Sequence, residues 1–255
     1  MFRFFASLAN PTRFAGLADR LLPWLSAATV LAFAAGLYMA LVIAPADYQQ
    51  GESVRIMYIH VPAAWLALGC WTAMSVAALG TLVWRHPLAD VAQQAAAPVG
   101  AAFTAVCLLT GSLWGRPTWG TWWVWDARLT SVLVLFLMYL GVMALWRAID
   151  DPGRAARAVA ILTLVGFVNV PIVKFSVEWW FTLHQGASLT FSGSAIDPAM
   201  LRPLMVMAVG YLLLFITLWL VRMRTELMRR RLRRMALVAA GRLAASGLAA
   251  SGPAT

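Results

Sequence analysis

Charged residues cut this chain into apolar lengths, and those lengths decide what it can fold into. No Asp, Glu, Lys or Arg occurs within residues 21–46, 56–84, 91–115, 129–146, 158–173 or 203–221. All but the fifth interval reach the roughly 18–20 residues needed to cross a hydrocarbon core of about 30 Å. The fifth extends past Lys174, which lies three residues before Val177. At a rise of about 1.5 Å per residue it sits about 5 Å below that end, within reach of snorkelling. The pattern predicts an all-α integral membrane protein with six transmembrane helices. With 62% hydrophobic and 12% charged residues, the chain lies far from soluble domains, which are about 25% charged.

The sidedness follows from the arginines in the short connections. Six spans put both termini on one side, together with the connections near residues 85–90 and 147–157. That side carries Arg3, Arg13 and Arg20, then Arg85, then Arg147, Arg154 and Arg157, then eight arginines from Arg222 to Arg242, fifteen in all. The other side has four: Arg55, Arg116, Arg128 and Arg202. Both termini are therefore expected in the cytoplasm. The net charge of +10 reads as positive-inside bias with a tail beside anionic membrane lipid, not as a nucleic-acid surface. Three regions result: a cytoplasmic segment 1–20, a membrane domain 21–222, and a basic tail 223–255 whose last Ala/Gly/Ser-rich residues are expected to be disordered. The spans are expected near Leu22–Ile43, from about Pro62 to Val83, Ala95–Leu113, Leu129–Trp146, Ala158–Val177 and Pro203–Val221. Cys70 and Cys107 each fall inside a span and read as small buried apolar residues.

Between the third and fourth spans, residues 114–128 hold Trp114, Trp119, Trp122, Trp123 and Trp125, five of the 13 tryptophans. Such residues are ordinarily spread thinly along membrane interfaces. Pooled, they offer a rigid aromatic surface suited to a flat, polycyclic ligand. Trp119, Trp122, Trp123 and Asp126 fit one stripe of a helix, while Trp119, Trp123 and Trp125 fit an extended strand equally well. Asp126 and Arg128 either orient a ligand or cap the following helix.

Topology sorts the three histidines. His60 precedes the second span and His184 follows the fifth, both on the side of the tryptophan segment, whereas His86 faces the cytoplasm. Two imidazoles flanking an aromatic platform can hold a metal axially, and an iron porphyrin supplies both the metal and the flat ring. Zinc fits less well, since it usually takes four ligands and does not call for five indoles. Arg55, Arg128 and Lys174 are candidates to pair with propionates. Their competing roles are a Lys174–Glu178 pair at i, i+4 and an interfacial anchor at Arg128.

The run Trp119-Gly-Thr-Trp-Trp-Val-Trp-Asp126 matches WGxxWxWD, the signature of haem-handling membrane proteins. With Gly115–Thr130, the later Val177-Glu-Trp-Trp-Phe-Thr-Leu-His-Gln-Gly186 and the six spans, the chain resembles the haem exporter protein C family (CcmC) of bacterial cytochrome c maturation. The resemblance covers nearly all of residues 21–225. It implies haem b as the group bound, with His60 and His184 as axial ligands and Trp119, Gly120, Trp123, Trp125 and Asp126 as signature residues. It also implies the bacterial inner membrane, a periplasmic loop at 114–128, and delivery to a membrane-anchored periplasmic haem chaperone. The implied partners are an ABC-type ATPase, its membrane subunit and a small single-span membrane protein. A haem transfer protein is expected in preference to a stand-alone enzyme. The alternatives are a haem lyase acting directly on apocytochrome and a haem-free permease. No P-loop of the form GxxxxGK[ST] occurs.

Overall fold

In the computed structural model, described for residues 9–186, 188–190 and 193–250, six helical spans pack antiparallel. The first, α1 (Pro11–Tyr38), starts earlier than its apolar run. Asn10 accepts from the Thr12 and Arg13 amides, at 2.9 and 3.3 Å, and Pro11 occupies the first turn, where it loses no hydrogen bond. Part of the expected N-terminal segment is thus helix, and residues 1–8 lie outside the described set. A π turn at Met39–Ile43 ends the span.

A 3-10 turn, Glu52–Ile56, leads into α2 (Met57–Leu82). This places His60 in the first turn of a helix and not in the preceding loop, and Pro62 inside it. The span α3 (Ala89–Trp119) exceeds the expected Ala95–Leu113 at both ends and carries Trp114 and Trp119 on its last turns. Next come α4 (Ala127–Ala148), α5 (Pro152–Gly166) and α6 (Asn169–Trp179). The last two form one interrupted span. Pro171 has no N–H to give the Phe167 carbonyl, so Val170 N bonds Phe167 O instead, at 3.0 Å. Asn169 donates to the Ser131 carbonyl of α4 at 2.9 Å.

A short hairpin, β1 (Leu189–Thr190) with β2 (Gly193–Ser194), then precedes α7 (Pro198–Ala250). This last helix was expected to stop near Val221. It runs on through the basic tail for 53 residues, about 80 Å at 1.5 Å each, and residues 251–255 lie outside the description.

The core surrounds α2 and α3. Trp71 is fully buried, donates to the Thr163 carbonyl at 3.1 Å and meets Tyr139 edge-on at 4.8 Å. Tyr139 donates to the Ala67 carbonyl at 2.7 Å. Its ring passes over Gly100, where a Cβ would collide with it. Cys70 and Cys107 are free and buried. The contacts Asp19–Arg224, Thr29–Thr217 and Gly36–Met207 set α1 antiparallel to α7. Apolar side chains on the opposite face of α1, Trp24, Val30 and Leu31 among them, are exposed, as lipid-facing groups are. The bundle thus has a tryptophan end, where α3 meets α4 and α6 leads to α7, and an arginine end, where α7 leaves it.

Candidate functional site

At the tryptophan end, α3 stops at Gly120. Its φ of +78° is left-handed, and its amide closes the helix on the Arg116 carbonyl at 3.1 Å. Beyond it the chain leaves helical geometry, bending at Trp122, until Asp126, itself extended, starts α4. Neither expected pattern is formed: residues 122–126 are not helical, and Trp119 lies in α3 and not on an extended segment with Trp123 and Trp125. Asp126 uses both oxygens differently. Its Oδ1 accepts from the Leu129 amide at 2.7 Å, an N-cap, while its Oδ2 faces His184 Nδ1 at 3.5 Å.

That facing pair is unusual. Asp126 Oδ2 and His184 Nδ1 are both buried without a hydrogen-bond partner, and so is Trp123 Nε1. His184 also packs edge-on against Trp119, with ring centroids 4.7 Å apart. Burial, followed by the nearby Arg128 charge, holds the His184 imidazole below its ordinary pKa, with Asp126 opposing. Neutral imidazole, with a lone pair for a metal, is the form this environment favours.

His60 is built on helices instead of a loop. Its Nδ1 lies 3.1 Å from Thr110 Oγ1, and its ring meets Trp114 edge-on at 5.7 Å. Trp114 in turn donates to Gln50 Oε1 at 2.7 Å, tying the loop before α2 to α3. His60 is within electrostatic range of both His184 and Arg128. The two histidines, 124 residues apart in sequence, thus come to one region along with the signature loop.

The five indoles do not form one flat surface. Trp114 belongs to His60 and Trp119 to His184, while Trp123 and Trp125 meet edge-on at 5.4 Å. Trp122 and Trp125 are exposed, and Trp179, Trp180 and Phe181 add a second exposed aromatic group beside His184. The cations separate as well. Arg128 donates to Ser176 Oγ at 3.1 Å and to the Lys174 carbonyl at 3.4 Å, bracing α4 against α6 next to His184. Arg55 pairs with Glu52 and donates to the Ala40 carbonyl at 2.6 Å. The Lys174 side chain is exposed, and among the described residues no ion pair joins it to Glu178.

Thr110, Gln50 and Gly111 were not singled out by the sequence. Gly111 and Gly115 stand four apart on α3, a spacing that lets neighbours approach closely. A Cβ on Gly111 would lie 3.1 Å from His60, and one on Gly115 3.0 Å from Trp119. Among the described residues no group of three or more His, Cys, Asp or Glu is placed to hold a metal ion.

The family profile described as Heme exporter protein C matches residues 4–238. Curated relatives described by the same words include one from Bradyrhizobium diazoefficiens, 67% identical over 221 residues, which are 86% of this chain and 84% of that protein. The Escherichia coli K12 relative is 52% identical over 88% of this chain and 91% of its own length. The one from Haemophilus influenzae is 46% identical over 89% and 93%.

Proposed function

The chain belongs to the haem exporter protein C family, and from that membership we propose that it binds haem b at the tryptophan end and passes it to an acceptor during c-type cytochrome biogenesis. The tryptophan end faces the periplasm of the bacterial inner membrane and the arginine end the cytoplasm, a sidedness supported by fifteen arginines against four. The acceptor is a membrane-anchored periplasmic haem chaperone. The chain works beside an ABC-type ATPase, its membrane subunit and a small single-span protein.

The observation that carries this reading is the pair of imidazoles brought into one aromatic region, one seated on Thr110 and one facing Asp126. Haem fits these residues in three respects. Its iron takes two axial nitrogens. Its apolar ring suits walls of indole, with Trp114 and Trp119 each touching one of the two histidines. Its propionates suit Arg128, a cation whose charge acts on the His184 ring. Arg55, already paired, and Lys174, exposed, are the secondary candidates. Delivery requires one of His60 and His184 to let go, and the exposed Trp122, Trp125, Trp179, Trp180 and Phe181 form the surface that receives the chaperone.

The test is the visible spectrum of the purified full-length protein beside His60→Ala and His184→Ala, oxidised and reduced. A low-spin Soret and α/β pattern in the parent, altered in each variant, is expected. A parent that takes up no haem even on addition overturns the reading and returns the permease alternative. Covalent haem appearing on a cytochrome in place of the chaperone favours the lyase.

A further inference from the structure

The side of α3 that carries Thr110 and Gly111 meets the first turn of α2, and there the hydrogen bonds fix which nitrogen of His60 bears a hydrogen. Thr110 has one hydroxyl hydrogen, and it is donated to the Val106 carbonyl at 2.6 Å. What remains toward His60 Nδ1, 3.1 Å away, is a lone pair, so Nδ1 must be the donor. With its hydrogen on Nδ1, neutral His60 carries its free lone pair on Nε2. Gly111 lets the ring sit this close, since a Cβ there would be 3.1 Å from His60 Cε1. His86 shows the opposite arrangement. Its Nδ1 accepts from the Leu88 amide at 3.3 Å, which leaves the hydrogen on Nε2 and no lone pair there for a metal.

We propose that Thr110 is a positioning residue for His60, holding the ring in the Nδ1–H tautomer so that Nε2 is presented for axial ligation. The inference rests on the reading of His60 as a haem ligand. A partner behind a ligating histidine typically changes metal retention about 10- to 100-fold. It also makes the ligand more basic, which stabilises the ferric state.

The experiment titrates haem into the purified full-length parent, Thr110→Val, Thr110→Ala, Thr110→Ser and His60→Ala, reading the dissociation constant and the midpoint potential of the bound iron. Of the two hydroxyl-free variants, whichever keeps the parental helical circular dichroism carries the comparison. It is expected to bind haem about 10- to 100-fold more weakly and at a raised potential, with Thr110→Ser restoring both. Parental affinity and potential without the hydroxyl, while His60→Ala loses the low-spin spectrum, overturn the role of Thr110 and leave the haem reading standing. A His60→Ala protein that keeps the parental spectrum overturns both.

Discussion

The two ends of the bundle treat their polar groups in opposite ways. At the arginine end, Arg230 donates to Asp90 at 2.5 Å, Glu226 at 3.0 Å and Gln94 at 3.0 Å. Nearby, Arg222 donates to the Ala95 carbonyl at 3.1 Å and Trp219 to the Ala92 carbonyl at 2.8 Å, and Arg224 pairs with Asp19 at 2.7 Å. At the tryptophan end, buried Asp126 Oδ2 and His184 Nδ1 meet only each other, at a long 3.5 Å, and buried Trp123 Nε1 has no hydrogen-bond partner. Other unpartnered atoms, such as Gln93 Oε1 and Trp146 Nε1, are scattered singly. A buried polar group without a partner costs about 1–3 kcal/mol, so weakly satisfied groups gathered at one end belong where something else supplies contacts. One end is a staple and the other a receptacle.

The largest stability effect is expected at the staple. Arg230→Met removes the counter-charge of Asp90 and Glu226 together. Removing one partner costs about 3–5 kcal/mol for a fully buried pair and near zero for an exposed one. With the Arg230 side chain 29% exposed, a loss of about 1–3 kcal/mol is expected in thermal unfolding, with an unchanged haem spectrum. A changed spectrum with unchanged stability breaks the division between the ends.

Gly120→Ala tests the receptacle through its backbone. Open space surrounds the site, so the penalty comes from φ alone, about 1–2 kcal/mol for an L-residue in the left-handed region. Because this turn aims the segment from Thr121 to Asp126, haem affinity is expected to fall with stability. A loss of stability at full affinity shows that the turn closes α3 without aiming the loop.

Gly120 also marks where sequence reading succeeds and where it stops. The six spans were legible because charges bracket them, and the place of His60 and His184 at one end because topology puts both beside the tryptophan segment. The end of α3 was not: Gly115-Arg-Pro117 looks like a helix stop, yet a proline in the last turn forfeits only the bond to Leu113, and α3 runs on to Trp119. The last helix departs in the same direction, running past Val221 through the tail. Between Gly210 and Gly241 it has no glycine or proline and is rich in Arg, Leu, Met and Ala, strong helix formers. Thr110 was invisible because its role exists only when α2 lies against Gly111, a tertiary contact that no local pattern encodes.

The smallest effect on stability, and the sharpest test, is expected from Asp126→Asn. Asparagine caps helices about as well as aspartate, so with its amide oxygen on the Leu129 N–H the fold should lose no more than a few tenths of a kcal/mol. The NH2 group then points at His184 Nδ1, which must accept, driving the ring hydrogen to Nε2 and removing the lone pair a metal needs. Flipping the amide restores an acceptor to His184 but turns the NH2 toward the Leu129 amide, at a cost of about 1 kcal/mol for the lost cap. One amide oxygen cannot serve both directions as the carboxylate does. Haem titration and thermal unfolding on the same sample read the two functions apart. Weakened haem binding at parental stability, or parental binding with the cap lost, shows that the carboxylate serves both groups. Parental behaviour in both reduces Asp126 to a helix cap and leaves His184 oriented by Trp119 alone.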